Sequence, residues 1–118
     1  MAERVLGELK VVVEENARPI EMKFFGESDS ANVSKELREL FGSYEELAAQ
    51  HGLQLDFREL DYMNSSSFPP IVELIRGLHA RRAPVTVLYS QSKAWQRTPF
   101  TAISSIASVY DNLTVKAC

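Results

Sequence analysis

The chain has 118 residues, 45% of them hydrophobic and 25% charged, with a formal net charge of -3 and a single cysteine. A chain of this size and composition buries one hydrophobic core without metal or disulfide support, which argues against global disorder and for one domain over residues 1–118. The mildly acidic balance lacks the basic field that non-specific nucleic-acid binding requires, and no apolar run approaches the roughly 18 residues of a membrane span.

The opening residues MAERVLGELK have no apolar centre of the kind a secretory signal carries. Cys118 has no partner within the chain, so no disulfide framework exists and a cytoplasmic setting is expected. His51, His79 and Cys118 do not have metal-ligand spacing, and no cofactor is expected.

In chain order, ELKVVVEE predicts a first strand and IEMKFFGESD a second, with Ile20, Met22 and Phe24 on one face. The turn residues NARP between them pair the two as a hairpin. Val33, Leu37, Leu40, Phe41, Tyr44, Leu47 and Ala48 then recur at three- and four-residue spacing, the apolar stripe of a helix. Ser43 and Glu46 have capping-box spacing just behind Gly42, which predicts a break and restart there. Gly52 suits the left-handed position after the helix end.

LQLDF alternates Leu53, Leu55 and Phe57 inward as a third strand. A helix over 71–82 follows, with Ile71, Leu74, Ile75 and Leu78 inward and Arg81 and Arg82 beside the negative end of its dipole. Pro84 stops it. VTVLY reads as a central strand buried on both faces. SKAWQRTPFTAISSIASVY reads as loop plus helix, its apolar side built from Phe100, Ile103, Ile106 and Ala107, and LTVK as a short last strand. The resulting β-β-α-β-α-β-α-β order implies an α/β fold: a mixed, mostly parallel sheet with flanking helices.

The segment ELDYMNSSSFPP, residues 59–70, raises the functional question. It joins the carboxyl end of a strand to the amino end of a helix, the edge where open α/β sheets meet ligands and partners and where backbone N–H groups favour an anion. Pro69 and Pro70 fit the first helical turn. Ser67 or Phe68 is then the cap, leaving Asn64, Ser65 and Ser66 in the connecting loop. A single cap needs one hydroxyl, and three consecutive serines exceed that need.

A nucleophilic serine needs a histidine base oriented by a carboxylate, but His51 and His79 should project near the opposite sheet edge. There is no G-x-S-x-G elbow and no glycine-rich phosphate loop with lysine, so a non-enzyme is expected. Trp95 falls in a polar loop after a strand neighbouring the serine strand. It is either a lid on the core or an interface anchor on the same rim as Ser65, and Lys93 and Arg97 beside it read as solvated charges. Glu14, Glu15, Glu21, Glu45 and Glu46 read as a solvated face.

The run LDFRELDYMNSSSFPPIVELIRGLHARRAPVTVLY resembles the central segment of STAS domains, the fold of bacterial anti-sigma-factor antagonists. The element order resembles theirs over most of residues 8–116, although only Ala117 and Cys118 follow the last strand, where the family has a further helix. Met63, Ser65 and Ser66 match the family's M-D-S-S motif, with Asn64 in place of the aspartate, Ser67 in place of a glycine and Pro69 in place of a second glycine. The NSS loop and Trp95-Gln96 look closer to a divergent, single-domain branch of STAS-like regulators.

The resemblance implies that Ser65, with Ser66 as the alternative, is phosphorylated by a partner kinase. It also implies that Asn64, Ser65, Ser66, Ser67, Phe68 and Trp95 form the surface for a protein partner, an anti-sigma factor or related kinase. A phosphate would add about -1.5 to -2 charges at that surface. A constitutive binding or scaffold domain of the same fold, without phosphorylation, is the second reading, and the neutral Asn64 favours it.

Overall fold

In the computed structural model, which describes residues 1–118, period-two alternation sets one face of a sheet against every helix. The strands are β1 (Ala2–Leu6), β2 (Leu9–Glu14), β3 (Ile20–Ser28), β4 (Leu53–Asp56), β5 (Leu60–Met63), β6 (Val85–Tyr89) and β7 (Leu113–Ala117). The helices are α1 (Val33–His51), α2 (Phe68–Ala80) and α3 (Ala94–Ile106), with a single 3-10 turn over Ser65–Ser67. The sheet order is β1-β2-β3-β4-β6-β7, and β5 continues beside the carboxyl-terminal part of β3. The pairs β1-β2 and β2-β3 are antiparallel, whereas β3-β4, β3-β5, β4-β6 and β6-β7 are parallel.

Leu9, Val11, Val13, Ile20, Met22, Phe24, Leu53, Leu55, Val85, Val87 and Leu113 alternate onto one sheet face and join a single core of 27 buried residues. The buried stripes of α1 (Val33, Leu37, Leu40, Phe41, Tyr44, Ala48), α2 (Ile71, Leu74, Ile75, Leu78) and α3 (Phe100, Ile103) all enter that same core. The other sheet face carries no helix. VTVLY is therefore not packed between helices on both sides: Thr86 is half-buried, and Leu88, though buried, lies outside the core cluster.

Several local expectations yield to packing. Ala2–Leu6 forms an edge strand that the sequence conceals, because Glu3, Arg4 and Val5 are all exposed and leave no apolar face to read. It is held by the backbone ladder to β2, with only Ala2 and Leu6 at its two ends packed against the edge of the core. α1 runs unbroken through Gly42, since Leu40, Phe41 and Tyr44 are buried on both sides of the glycine; Ser43 Oγ donates to the Glu39 carbonyl, 2.9 Å away, and caps nothing. Gly52 takes a positive φ of 81°, and its N–H closes α1 on the Ala48 carbonyl at 2.8 Å.

The strand LQLDF ends at Asp56, and Phe57, fully buried, leads into a turn before β5. α2 begins at Phe68, three residues before the predicted start, with both prolines in its first turn. Arg81 follows α2, and its guanidinium reaches Glu46 of α1 at 2.6 Å.

Candidate partner-binding site

The serine turn is positioned by a change of partner along β3. Residues 20–23 of β3 pair with β4, and residues 26–28 pair with β5 after a register shift between Gly26 and Glu27. Gly26 has φ +86°, and the Glu8 carbonyl oxygen lies 2.3 Å from where a Cβ would stand, so only glycine fits this bend. The bend carries β3 on to Ser28, which is buried beneath the turn.

There the hydroxyls separate into two kinds. Ser67 is fully buried, so it is not on the rim where the sequence placed it. Its Oγ lies 2.7 Å from Ser28 Oγ and donates to Asn64 Oδ1 at 2.9 Å. With its one proton directed to Asn64, Ser67 accepts from Ser28. The Asn64 N–H donates to the Ser28 carbonyl at 2.9 Å, and the Ser67 N–H to the Asn64 carbonyl at 3.1 Å. Asn64 is thus a structural acceptor as well as a rim residue. Ser65 and Ser66, in contrast, are exposed, and neither hydroxyl is hydrogen-bonded within the protein.

The predicted anion pocket at the start of α2 is weaker than its location suggests. Pro69 and Pro70 remove two N–H groups from the first turn, and the Phe68 N–H is spent on the Ser65 carbonyl. What the turn offers instead is apolar. Phe68, half-buried, borders a groove of about 240 Å³ between α2 and α3, lined further by Val72, Pro99, Ala102, Ile103 and Ile106.

Trp95 does not lie in a loop: it occupies the first turn of α3. It is half-buried, its ring centroid 6.4 Å from Phe100 and 6.4 Å from Tyr62, and its Nε1 is buried. The indole therefore offers no donor to a partner, whereas Tyr62, at 47% exposure, is the aromatic that faces solvent on this rim. Lys93 is not a free solvated charge; its Nζ donates to Asp61 Oδ1 at 3.1 Å and to the Leu60 carbonyl at 3.3 Å. Arg97 reaches the Gln91 carbonyl at 3.3 Å.

Beneath Trp95, Gln96 is fully buried and ties three segments together. Its Nε2 donates to the carbonyls of Phe57 (2.7 Å) and Leu60 (3.0 Å), and its Oε1 accepts from the Ser90 N–H at 2.7 Å. This amide holds the β4–β5 turn against the β6–α3 loop and so fixes the rim. Gln96→Ala leaves the Ser90 N–H unpaired and strips one of two donors from each of the Phe57 and Leu60 carbonyls, which keep the Leu60 N–H and Lys93 Nζ, and is expected to cost about 2 kcal/mol in urea denaturation. A loss below about 0.5 kcal/mol would mean that water replaces the amide without penalty.

The histidines sit at the other edge. His51 is exposed at the end of α1, and His79 Nε2 lies 3.4 Å from Asp111, which precedes β7. Neither is at the carboxyl edge, where the serine turn lies, so no imidazole stands beside Ser65. Asp56 points to the helix-free face. Burial pushes its carboxyl up, but the hydrogen bonds and charge of Arg58, with Nη2 2.8 Å from Oδ2, more than offset this and hold it below the usual carboxylate range. No group of three potential metal ligands occurs, and no helix is long and apolar enough to cross a membrane.

Ser28, Tyr62 and the bend at Gly26 are the rim residues that sequence reasoning missed. Ser28 and Ser67 are 39 residues apart, and nothing local announces their pairing. The pair Trp95-Gln96 was visible as a motif, although the amide's three bonds were not.

No family model matches the chain, and no curated protein matches it. Solved structures do. The Bacillus cell fate determinant SpoIIAA in its phosphorylated form superposes with a TM-score of 0.62 at 18% identity, covering 92% of this chain and 90% of that one. The anti-sigma factor antagonist SpoIIAA in its unphosphorylated form gives a TM-score of 0.53 at 21% identity, covering 66% of this chain and 71% of that one. With the mixed sheet and the placement of its three helices, this likeness establishes that the chain has the STAS fold of SpoIIAA.

Proposed function

We propose that this protein is a non-catalytic regulator that binds a protein partner through Tyr62, Asn64, Ser65, Ser66, Phe68 and the adjoining α2–α3 groove, with Ser65 as the phosphoacceptor and Ser66 as the alternative. The observation that carries the reading is the division within the serine turn: Ser67 is buried and bonded, while Ser65 and Ser66 present free hydroxyls beside an apolar groove. The likeness to SpoIIAA, described in both phosphorylated and unphosphorylated forms, supports a partner of the anti-sigma-factor or kinase class.

A phosphate on Ser65 finds few donors in the turn, because the two prolines have removed them. A partner packed on the rim would then bury or face a dianion, at a cost of about 3 kcal/mol, roughly a hundredfold in affinity. Asp61 adds little repulsion, since Lys93 holds it. The same missing donors, with the neutral Asn64, favour a second reading in which the rim binds constitutively and is never phosphorylated.

The test is retention of partners from native lysate by wild type, Ser65→Ala and Ser65→Glu, with mass spectrometry of the retained proteins. Under the switch reading, wild type and Ser65→Ala retain the same kinase or anti-sigma-like protein, and Ser65→Glu loses it by about a hundredfold. Equal retention by all three transfers the case to the constitutive reading.

A further inference from the structure

The two seams that flank α2 are closed in different ways. Toward α1, Arg38 grips Glu73 and Arg81 grips Glu46, each through two guanidinium nitrogens. Toward α3, no hydrogen bond or ion pair joins the two helices. That seam is closed only beyond the end of α3, where Arg76 Nε donates to the Tyr110 hydroxyl at 3.2 Å and His79 meets Asp111. Between that end and Phe68 the groove of about 240 Å³ lies open, with half-buried Val72 and Ile106 and exposed Ala102 on its walls.

The wall that α3 contributes is also free of charge. No charged residue occurs from Thr98 to Tyr110, whereas the exposed face of α1 carries Lys35, Arg38, Glu39 and Glu46. Depletion of charge is the mark of an interface core rather than of a solvated helix face. The cation that closes the groove, Arg76, follows Phe68 and Val72 at four-residue spacing on the same face of α2. It makes no ion pair, and Glu73, the carboxylate one turn before it, is held by Arg38.

These features define the occupant. Both walls are helices whose backbone groups bond internally, so an extended segment would bury N–H and C=O groups without partners. A helix satisfies its own. A second copy of this chain has no such helix to offer, because the apolar stripes of α1, α2 and α3 already lie in its own core. The unpaired Arg76 calls for an acid. From Phe68 to Arg76 is about 12 Å of helix, roughly two turns.

We propose that the protein partner docks an amphipathic α-helix in the groove between α2 and α3, with apolar residues at i, i+4 and i+7 seated from Phe68 to Ile106 and an acidic residue one turn further on facing Arg76. This names the element by which the partner is held, and it rests on the partner reading above.

A pool of Ala-rich, helix-forming peptides of about 16 residues tests it, with Leu, Ile, Phe or Met at i, i+4 and i+7 and Glu a turn beyond. Peptides retained by the isotope-labelled full chain are expected to shift the amides of Val72, Ala102 and Ile106. A proline at the peptide's centre abolishes binding. Ala102→Arg, which lays a long cation across the groove, weakens binding at least about tenfold. Arg76→Glu weakens it about tenfold, and the same peptides with Lys for Glu regain that affinity on the variant. Both substituted positions are exposed, so the fold is kept.

No retained peptide, retention that survives the central proline, or shifts confined to other surfaces each overturns the proposal. So does an Ala102→Arg chain that binds as wild type does, or an Arg76→Glu chain that treats Glu and Lys peptides alike. Groove amides that shift on dilution of the chain alone also overturn it, by marking a second copy as the occupant. In the lysate experiment above, Ala102→Arg separates this failure from that of the partner reading. A partner kept by Ala102→Arg but lost by Ser65→Glu overturns the helix dock and leaves the switch at the rim standing. A partner lost by Ala102→Arg and kept by Ser65→Glu supports the dock and removes the switch.

Discussion

Phe57→Ala is expected to lower stability by about 4 kcal/mol, a large share of what a domain of this size possesses. Phe57 is fully buried and stands at the centre of an aromatic column. Phe24 stacks on it at 4.5 Å and 19°, Phe100 tilts against it at 5.1 Å and 43°, and Tyr89 stacks on Phe100 at 5.3 Å. Phe41 meets Phe24 edge-on at 6.4 Å, and Trp95 continues the column from Phe100 to exposed Tyr62.

Truncation opens a cavity where α1, α3 and the sheet meet, and it removes ring contacts worth about 0.5–1.5 kcal/mol each beyond area burial. Phe57→Leu keeps most of the volume and should cost about 1.5 kcal/mol. Urea denaturation of the pair checks this: equal losses would mean that the site collapses around either side chain, and that the column adds nothing beyond volume.

Gly26→Ala should cost about 3 kcal/mol and detach β5 from β3. Two terms add. A side chain at φ +86° is disfavoured by about 1–2 kcal/mol, and the new Cβ meets a backbone carbonyl oxygen at 2.3 Å, which cannot rotate away as a flexible side chain would. The affected carbonyl, of Glu8, also accepts the Glu27 N–H at 3.1 Å, so relief by movement breaks the bond that ties the β1–β2 turn to β3. Thermal melting should fall by roughly 10 °C or more. Hydrogen exchange should rise first in β5 and the serine turn. A drop in melting temperature with β5 still protected would place the strain elsewhere in the hairpin.

These two residues mark the boundary between what is local and what is not. The inward alternation of Ile20, Met22 and Phe24, and of Leu53, Leu55 and Phe57, is a property of neighbouring residues, as is the stripe of α1; period-two and period-3.6 burial follow directly from it. The β-β-α-β-α-β-α-β core order and the STAS resemblance were legible for that reason, and the superposition on SpoIIAA agrees with them.

β1 was not legible, because an edge strand held mainly by backbone bonds, with only Ala2 and Leu6 touching the core, shows no run of alternating apolar residues. The break predicted at Gly42 followed a local capping rule that continuous burial of Leu40, Phe41 and Tyr44 overrode. Of the site, the sequence by itself determined that a hydroxyl-rich turn stands between a strand and a proline-led helix. Only the tertiary structure decided which hydroxyls are free. Ser67 is silenced by Ser28, Trp95 is drawn into α3 with its Nε1 buried, and Tyr62 is left outside. Each of these depends on a partner more than 30 residues away in sequence, where no local periodicity reaches.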